Sequence, residues 1–368
     1  MKTSRLRIGI QQRVLPFYRG TFFDTLAAEP DLEVMVFAGS PRPDENLGKP
    51  AVLNTAGYFP ACNIHLFRNR FYLCLQSNMN TWLKSFDPEV LILEANPRYL
   101  HLPAAIRWMH QRSRPVIGWG LGSPPASQKF LQNRKGAWLR QFDALISYSQ
   151  AGNAQYAALG FPSDRIIVAP NAATHKPAGA PPQRLPLTNP ARVKVLFVGR
   201  LQERKHVDLL VRACAALPEG ILPELVITGD GEARPALEQL ANKVYPRTRF
   251  TGALYGNDLD EIYNQADLFV LPGTGGLAVQ QAMAHALPVI VAEADGTQQD
   301  LVRKGNGWIV PPGNVQSLQR VLQIAMSSAA NLRLMGNESF RIVQEEVNIE
   351  VMVGRFKQAI ALAREAVR

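Results

Sequence analysis

The sequence predicts an α/β protein with two doubly wound domains, each built around a parallel sheet. Short apolar runs rich in Val and Ile alternate with helical segments along the chain. This alternation stops at a proline-rich stretch and then begins again. The length of 368 residues, 46% of them hydrophobic, is enough for two separate cores and excludes a mainly disordered chain.

Six apolar runs in the first half predict strands, and most of them precede a helical pattern. Continuous apolar runs are typical of parallel strands that are buried on both faces. The runs cover residues 5–10, 32–38, 88–95, 114–120, 143–149 and 165–171. We therefore predict a first domain over residues 1–172.

The stretch 173–190 has five prolines and little apolar content, which predicts an interdomain linker. The strand–helix pattern then restarts, and it predicts a second domain over residues 191–346. Two helical stretches close the chain, near 315–346 and 348–367, and we expect 347–368 to return to the first domain as a C-terminal helix. The predicted strands of this half are 193–199, 223–229, 248–254, 266–272, 287–293 and 307–313.

The positive charge of the chain is concentrated in its first half. The net charge is +10, and residues 1–190 carry 21 Lys and Arg against 11 Asp and Glu. Between Glu94 and Asp143 there are eight basic residues and no acidic one. Such a face attracts a phosphorylated substrate or an anionic membrane, although a simple solvated surface also fits. Nucleic acid is disfavoured because no RNA- or DNA-binding motif organises the charge.

The sequence predicts a cytoplasmic protein without a metal site. The N-terminus lacks the apolar segment of a signal peptide, and no run of 18 apolar residues occurs. The three cysteines and six histidines have no spacing typical of a zinc site or a disulfide framework.

Two motifs in the second half predict an anion site. Gly199 ends a predicted strand, and the cations Arg200 and Lys205 follow it, a placement that suits a diphosphate. The loop 273–276 follows another strand and opens a helix whose first N–H groups can bind phosphate. Each motif alone also fits an ordinary strand–helix turn. Ligands of doubly wound folds bind beyond the carboxyl ends of the strands, so we expect the site in a cleft between the two domains.

Together these motifs resemble the family 4 glycosyltransferases. The segment from Gly199 to Lys205 matches the family pattern GRL-x-x-x-K, and the glycine loop precedes a match to EAMA-x-G-x-PVI. Further matching segments are 166–171, 229–231, 250–252, 266–272, 281–290 and 305–314. The resemblance implies the GT-B fold, in which two Rossmann-like domains face a central cleft. It also implies a retaining, metal-independent transfer from a nucleotide sugar.

The resemblance assigns the donor site residue by residue. It implies that Arg200 and Lys205 hold the diphosphate and act as catalytic residues, while the glycine loop and the helix start bind the distal phosphate. The stretch from Thr251 to Leu254 would border the base, and position 281 would face the ribose. The implied donor residues are Gly199, Arg200, Lys205, Thr251, Gly252, Leu254, Gly273, Thr274, Gly275, Gly276, Leu277, Ala278 and Gln281.

The chain departs from the family at the two glutamates of its E-x7-E motif, which fall on Gly273 and Gln281. The amide of Gln281 can still bond a ribose diol, but Gly273 has no side chain to contact the sugar. We expect an active enzyme with an altered sugar subsite, with a degenerate, inactive protein as the alternative.

The first domain should carry the acceptor side. Glu94 and Asn96 lie at the end of a predicted strand and are the candidate catalytic residues there. Trp119 is a candidate for stacking on a sugar ring, with simple packing as the alternative, and His101 has a structural alternative as well. The acceptor-side candidates are Arg13, Arg19, Trp119, Gly120 and His101.

The expected function is transfer of a sugar from a UDP- or GDP-sugar to an acceptor hydroxyl, in bacterial cell-envelope glycan, polysaccharide or glycolipid synthesis. The nucleotide sugar is a co-substrate, and no permanently bound cofactor is expected. A glycan or lipid-linked acceptor would place the protein peripherally on the inner face of the cell membrane. The alternatives are a non-catalytic GT-B partner subunit that binds a nucleotide or anion, and a sugar-nucleotide epimerase. A dehydrogenase is disfavoured because no GxGxxG follows the first strand.

Overall fold

The computed structural model describes residues 5–42, 45, 51–68, 71–124, 128–187 and 193–367. The chain divides into two compact units, Met1–Ala173 with Ile349–Arg368, and Thr174–Asn348. The last residues of the predicted linker, 188–190, and the first of the predicted second domain, 191–192, lie outside the described residues.

The first unit is built on a seven-stranded parallel sheet of order β3-β2-β1-β6-β7-β8-β9. The strand order reverses between the adjacent strands β1 and β6. The carboxyl ends of these two strands are therefore a topological switch point of the sheet. The strands are β1 (Leu6–Val14), β2 (Leu32–Gly39), β3 (Gly57–Ala61), β6 (Val90–Glu94), β7 (Val116–Gly120), β8 (Ala144–Ser147) and β9 (Ile166–Val168).

A small antiparallel hairpin, β4 (Asn63–Leu66) with β5 (Leu73–Gln76), accompanies this sheet. The sequence did not predict it, because both strands are only four residues long and β4 alternates polar with apolar residues. The helices of the unit are α1 (Gly20–Ala27), α2 (Met79–Phe86), α3 (Leu102–His110), α4 (Lys129–Leu139), α5 (Gln150–Ala158) and α13 (Ile349–Ala366).

The C-terminal helix α13 is part of the core of the first unit. Its apolar face shares one buried cluster with β1, β2 and β6. The ring of Phe356 lies 4.7 Å from Phe22 and 4.9 Å from Trp119, between centroids. Aromatic pairs at this spacing add to the free energy gained by burying their area.

The second unit has a six-stranded parallel sheet of order β12-β11-β10-β13-β14-β15. This is the dinucleotide-type strand order, with its switch point between β10 and β13. The strands are β10 (Lys194–Val198), β11 (Glu224–Thr228), β12 (Thr248–Gly252), β13 (Leu268–Leu271), β14 (Val289–Ala292) and β15 (Gly307–Val310). The predicted α/β class with parallel, doubly wound sheets is confirmed.

Seven helices cover the described part of this sheet, and the predicted helical stretch 315–346 is in fact two of them. The break falls at Ser328, which has φ −115° and ψ 39°. No glycine or proline marks it in the sequence. The helices are α6 (Val207–Ala215), α7 (Arg234–Val244), α8 (Gly256–Gln265), α9 (Leu277–Ala284), α10 (Thr297–Leu301), α11 (Val315–Ser327) and α12 (Ala329–Glu345).

The described part of the proline-rich segment, 174–187, is irregular but anchored to the second unit. The guanidinium of Arg184 donates to the carbonyl oxygens of His285 at 2.7 Å and Ala286 at 3.0 Å, just past the end of α9. It also donates to the carbonyl oxygen of Tyr263 at 3.0 Å. These charge-assisted bonds satisfy carbonyl groups that a helix end leaves open.

Candidate functional site

Two loops meet at the switch point of the second unit. One follows β10 and carries Arg200 and Lys205, and the other follows β13 and carries the glycines of 273–276. The backbone N–H of Thr274 donates to the carbonyl oxygen of Arg204 at 3.2 Å, and the ammonium of Lys205 donates to the carbonyl oxygen of Thr274. The structure therefore brings together the two sequence motifs predicted to bind a diphosphate.

Gly273 lies directly against the backbone of the first loop. A Cβ atom at this position would lie 2.3 Å from the carbonyl oxygen of Arg204 and 2.6 Å from the Cα atom of Lys205. Both contacts are with backbone atoms, which cannot swing away as a side chain can. The glycine at position 273 therefore permits the close approach of the two loops.

Lys205 is held in a partly buried position between these loops. Burial, and secondarily the neighbouring charge of Arg204, lower the pKa of Lys205 to about 8. Near neutral pH most of the ammonium is still protonated, so the loop keeps a positive charge that is only partly solvated. Such a charge interacts more strongly with an anion than a fully hydrated lysine does.

The glycine loop leads into the N-terminus of α9, with Gly276 as its N-cap residue. The N–H groups of the first turn, which includes Leu277 and Ala278, have no partner within the helix and point along the positive end of its dipole. Gln298 was not predicted, yet its amide nitrogen donates to the carbonyl oxygen of Gly275 at 3.3 Å. No local sequence signal identifies this contact, because Gln298 lies on a different helix.

The loops after β10, β11 and β12 interlock through glycines. The N–H of Gly229 donates to the carbonyl oxygen of Gly252 at 2.8 Å, and a Cβ atom on Gly229 would lie 1.9 Å from the carbonyl oxygen of Gly199. The hydroxyl of Thr251 bonds that of Thr228 at 3.0 Å. This packing fixes the backbone of Gly199, the residue that precedes Arg200.

The remaining donor-side residues line the same carboxyl edge of the sheet. The guanidinium of Arg200 lies 3.9 Å from the carboxylate of Glu232, a long and mostly exposed pair. Leu254 and Gln281 are both half-buried, after β12 and on α9 respectively. The described donor-side candidates therefore collect at one end of the second unit.

In the first unit, Glu94 and Arg13 lie together at the switch point between β1 and β6. The carboxylate of Glu94 accepts the backbone N–H of Arg13 at 2.9 Å, and the guanidinium of Arg13 pairs with Glu45 at 2.8 Å. Burial raises the pKa of Glu94 above the usual range, although the hydrogen bond from Arg13 and its charge oppose this shift. Asn96 follows in the next turn, where its side-chain oxygen accepts the N–H of Arg98 at 3.1 Å.

Arg19 and Trp119 lie in the core of the first unit and not at its surface. Arg19 is 4% exposed, its guanidinium carbon lies 4.3 Å from the ring centroid of Trp119, and it donates to the hydroxyl of Tyr148 at 2.9 Å. Trp119 is 1% exposed and is surrounded by aromatic rings. The expectation that Trp119 stacks on a sugar is wrong, because neither face of the ring is open, and Arg19 does not reach outward.

His101 and Gly120 also have structural roles. The Nδ1 atom of the buried His101 accepts the backbone N–H of Gln76 at 3.1 Å, and burial lowers the pKa of His101 to about 4. A Cβ atom at Gly120 would lie 2.7 Å from the hydroxyl of Tyr156. The close approach at Gly120 is therefore made by Tyr156, and the histidine is a neutral group of the interior. Both differ from the acceptor-side roles expected from the sequence.

Comparison with known proteins relates the second unit to one family. Residues 192–327, most of the second unit, match the family model described as glycosyl transferases group 1. A GDP-mannose-dependent alpha-mannosyltransferase of Mycobacterium tuberculosis is 39% identical over 123 residues, which are 33% of this chain and 30% of that protein. Residues 192–327 are thus similar to the group 1 glycosyltransferases.

The similarity of this chain to other proteins extends into the first unit. The lipopolysaccharide core biosynthesis glycosyltransferase LpsE of Rhizobium meliloti is 24% identical over 304 residues, covering 75% of this chain and 84% of that one. Several other curated relatives are matched over only about a third of their length (33%, 30% and 31%). The structure of Anabaena HepE in complex with UDP superimposes with a TM-score of 0.69 at 14% identity, over 97% of this chain and 99% of that one. The predicted GT-B fold is confirmed.

Within the described residues, no three His, Cys, Asp or Glu side chains come together as a metal site would require. The described helices include none that combines the length and apolar character of a membrane span.

Proposed function

We propose that this protein transfers a sugar from a nucleoside diphosphate sugar to an acceptor hydroxyl, with retention at the anomeric carbon. The observation that carries the proposal is the convergence of Lys205, Arg200 and the N-terminus of α9 at the switch point of the second unit. Binding of UDP by the structurally similar HepE supports a nucleotide at this place. A UDP- or GDP-sugar is the proposed donor.

The proposed catalytic groups follow from the position at which negative charge develops on the leaving diphosphate. When the bond between the sugar and the diphosphate breaks, negative charge grows on the leaving oxygen, and the sugar becomes electron-poor. Cations and N–H groups already fixed at that oxygen stabilise the transition state more than the ground state. Arg200, Lys205 and the N–H groups from Gly275 to Ala278 are the groups that we propose for this role, without a metal ion.

On the acceptor side, we propose Glu94 as the residue closest to the chemistry. It lies at the carboxyl end of β6, at the switch point of its sheet, and burial raises its pKa, which makes its carboxylate a stronger base than an exposed one. Asn96 would orient the acceptor beside it. By analogy with LpsE and other relatives, the acceptor is a glycan or lipid-linked glycan of the bacterial envelope.

The proposal is tested by thermal unfolding in the presence of UDP, GDP, dTDP and ADP. We expect one diphosphate at 100 times its dissociation constant to stabilise the protein by about 2.7 kcal/mol. The same ligand should leave Arg200→Ala almost unshifted. Turnover is then measured with sugars of that nucleotide alone. A protein that none of the diphosphates stabilises would contradict the proposed donor site.

The pKa of Lys205 predicts how diphosphate affinity depends on pH. The ammonium loses its proton above about pH 8, so affinity should be highest below that pH and fall as pH rises through it. If only the protonated form binds, the loss approaches about tenfold per pH unit. Titration calorimetry between pH 7 and 9.5 measures it. Lys205→Arg should remove this dependence because arginine stays charged, and an equal slope in that variant would contradict the assignment.

A second candidate is a nucleotide-binding subunit without turnover. The lack of a side chain at Gly273, where the family carries a glutamate, favours it. Stabilisation by a diphosphate without turnover of any sugar of that nucleotide would support this candidate over the transferase.

A further inference from the structure

The β4–β5 hairpin of the first unit has its apolar and polar faces reversed. Along β4, the apolar Ile64 and Leu66 face solvent, while the polar Asn63 and His65 face the protein. Asn63 donates to the carbonyl oxygens of Arg13 and Ser40 at 2.7 and 2.9 Å. A strand at a water-facing surface normally shows the opposite alternation. The inner face is thus satisfied by hydrogen bonds, and the apolar side chains are left outside.

The end of the hairpin extends this apolar surface. Phe67 and Phe71, which flank its tip, are 69% and 64% exposed. With Tyr72 and Leu73 they line an open cavity of about 660 Å³. Single exposed apolar residues are common, but a contiguous group of this kind marks an interaction site.

Two arginines complete the rim of the cavity. Arg68 and Arg98 line it, and within the described chain neither has a carboxylate within 4.0 Å. Arg98 also opens the stretch between Glu94 and Asp143 that holds no acidic residue. The backbone N–H of Cys74 on β5 donates to the carbonyl oxygen of Arg98 at 3.0 Å, so strand and arginine are held together.

We propose that this hairpin docks the protein on an anionic bilayer. Phe67 and Phe71 enter the interface between headgroups and acyl chains, and Arg68 and Arg98 contact the lipid phosphates. Aromatic side chains beside cations are the combination that binds such an interface, and the charges of Arg68 and Arg98 complement anionic lipid. The proposal does not depend on the donor site, because all of these residues lie in the first unit.

The hairpin also connects the membrane to the candidate acceptor side. The amide of Gln76, the last residue of β5, bonds the side chain of Gln11 at 2.8 Å, and Gln11 in turn accepts the N–H of Glu94 at 3.1 Å. Docking through the hairpin would thus bring the carboxyl edge around Glu94 close to the bilayer surface, where a lipid-linked acceptor is presented.

The test is co-sedimentation of the full-length protein with vesicles. We expect binding to vesicles that contain phosphatidylglycerol, weaker binding to pure phosphatidylcholine, and weakening by 0.5 M NaCl. The double variant F67N/F71S should bind anionic vesicles at least about tenfold more weakly. Asparagine is chosen at position 67 because Phe67 has φ 58°, a left-handed conformation that asparagine tolerates. The charge variant R68E/R98E should lose the preference for anionic lipid.

The matched control is Leu334→Ser, which removes an equally exposed apolar side chain (69%) from α12 of the second unit. It should bind vesicles like the wild type. The proposal fails if the wild type ignores anionic vesicles, or if F67N/F71S binds them unchanged. It also fails if Leu334→Ser weakens vesicle binding as much as F67N/F71S does. A further contradicting result is a wild-type dimer in solution that F67N/F71S converts to a monomer. Stabilisation by a nucleotide should persist in F67N/F71S, so this outcome is separate from that of the donor site.

Discussion

Replacing Lys205 or Arg200 with alanine should lower kcat/KM for the nucleotide-sugar donor by about 100- to 1000-fold each. Removing one preorganised group from a site of developing negative charge has effects of this size. Lys205 is partly buried, and it is fixed by its bond to the carbonyl oxygen of Thr274. Its charge therefore acts without reorganisation when the leaving group forms. Steady-state kinetics with the donor named by the thermal-unfolding screen measures the effect.

The folded state should tolerate both substitutions. The 3.9 Å contact between Arg200 and the exposed Glu232 is a pair of a kind that contributes little to stability. Lys205→Arg keeps the positive charge but changes the geometry of the side chain. This variant should retain more activity than Lys205→Ala. Arg320→Ala removes one positive charge from an exposed position on α11 and serves as the control for net charge. Wild-type activity in Arg200→Ala and Lys205→Ala would place the diphosphate elsewhere.

The frame of the fold could be predicted because buried parallel strands leave a strong signal. The runs that became β10 and β13 are continuously apolar, and the glycines behind them mark where each strand ends. The β4–β5 hairpin was missed for the opposite reason, because its polar residues face inward and its apolar ones face outward. Its pattern is governed by contacts with Arg13 and Ser40 that no local period reveals.

The candidate site also has parts that the sequence predicts and parts that it does not. Arg200, Lys205 and the glycine loop could be found because each motif is contiguous in sequence. Their mutual contact could not, since Lys205 and Thr274 are 69 residues apart. On the acceptor side, Trp119 and Arg19 are candidates from the sequence, with simple packing as the alternative for Trp119. Sequence position alone does not show that Trp119 and Arg19 stack on each other inside the core.

The contact at Gly273 leads to the second large prediction. Gly273→Ala should lower the midpoint of thermal unfolding by several degrees, since overpacking costs about 1–3 kcal/mol and each kcal/mol shifts the midpoint by about 2–4 °C at this size. The reason is steric, because the added Cβ atom would lie 2.3 Å from the carbonyl oxygen of Arg204. The matched control is Gly220→Ala, where an added Cβ meets nothing within 4 Å, and it should change stability by no more than about 0.5 kcal/mol.

Gly273→Glu tests whether the glycine loop can accommodate the glutamate that the resemblance to family 4 implies at this position. If the family carboxylate had simply been lost, restoring it would raise activity. The packing predicts the reverse, because any side chain at 273 must push the glycine loop away from Arg204 and Lys205. Lys205 would then lose its bond to Thr274, and diphosphate affinity should fall in Gly273→Ala and further in Gly273→Glu. Calorimetric titration with the nucleoside diphosphate measures the fall. A gain in affinity or turnover in Gly273→Glu would show that the two loops separate readily and that position 273 remains open to the sugar.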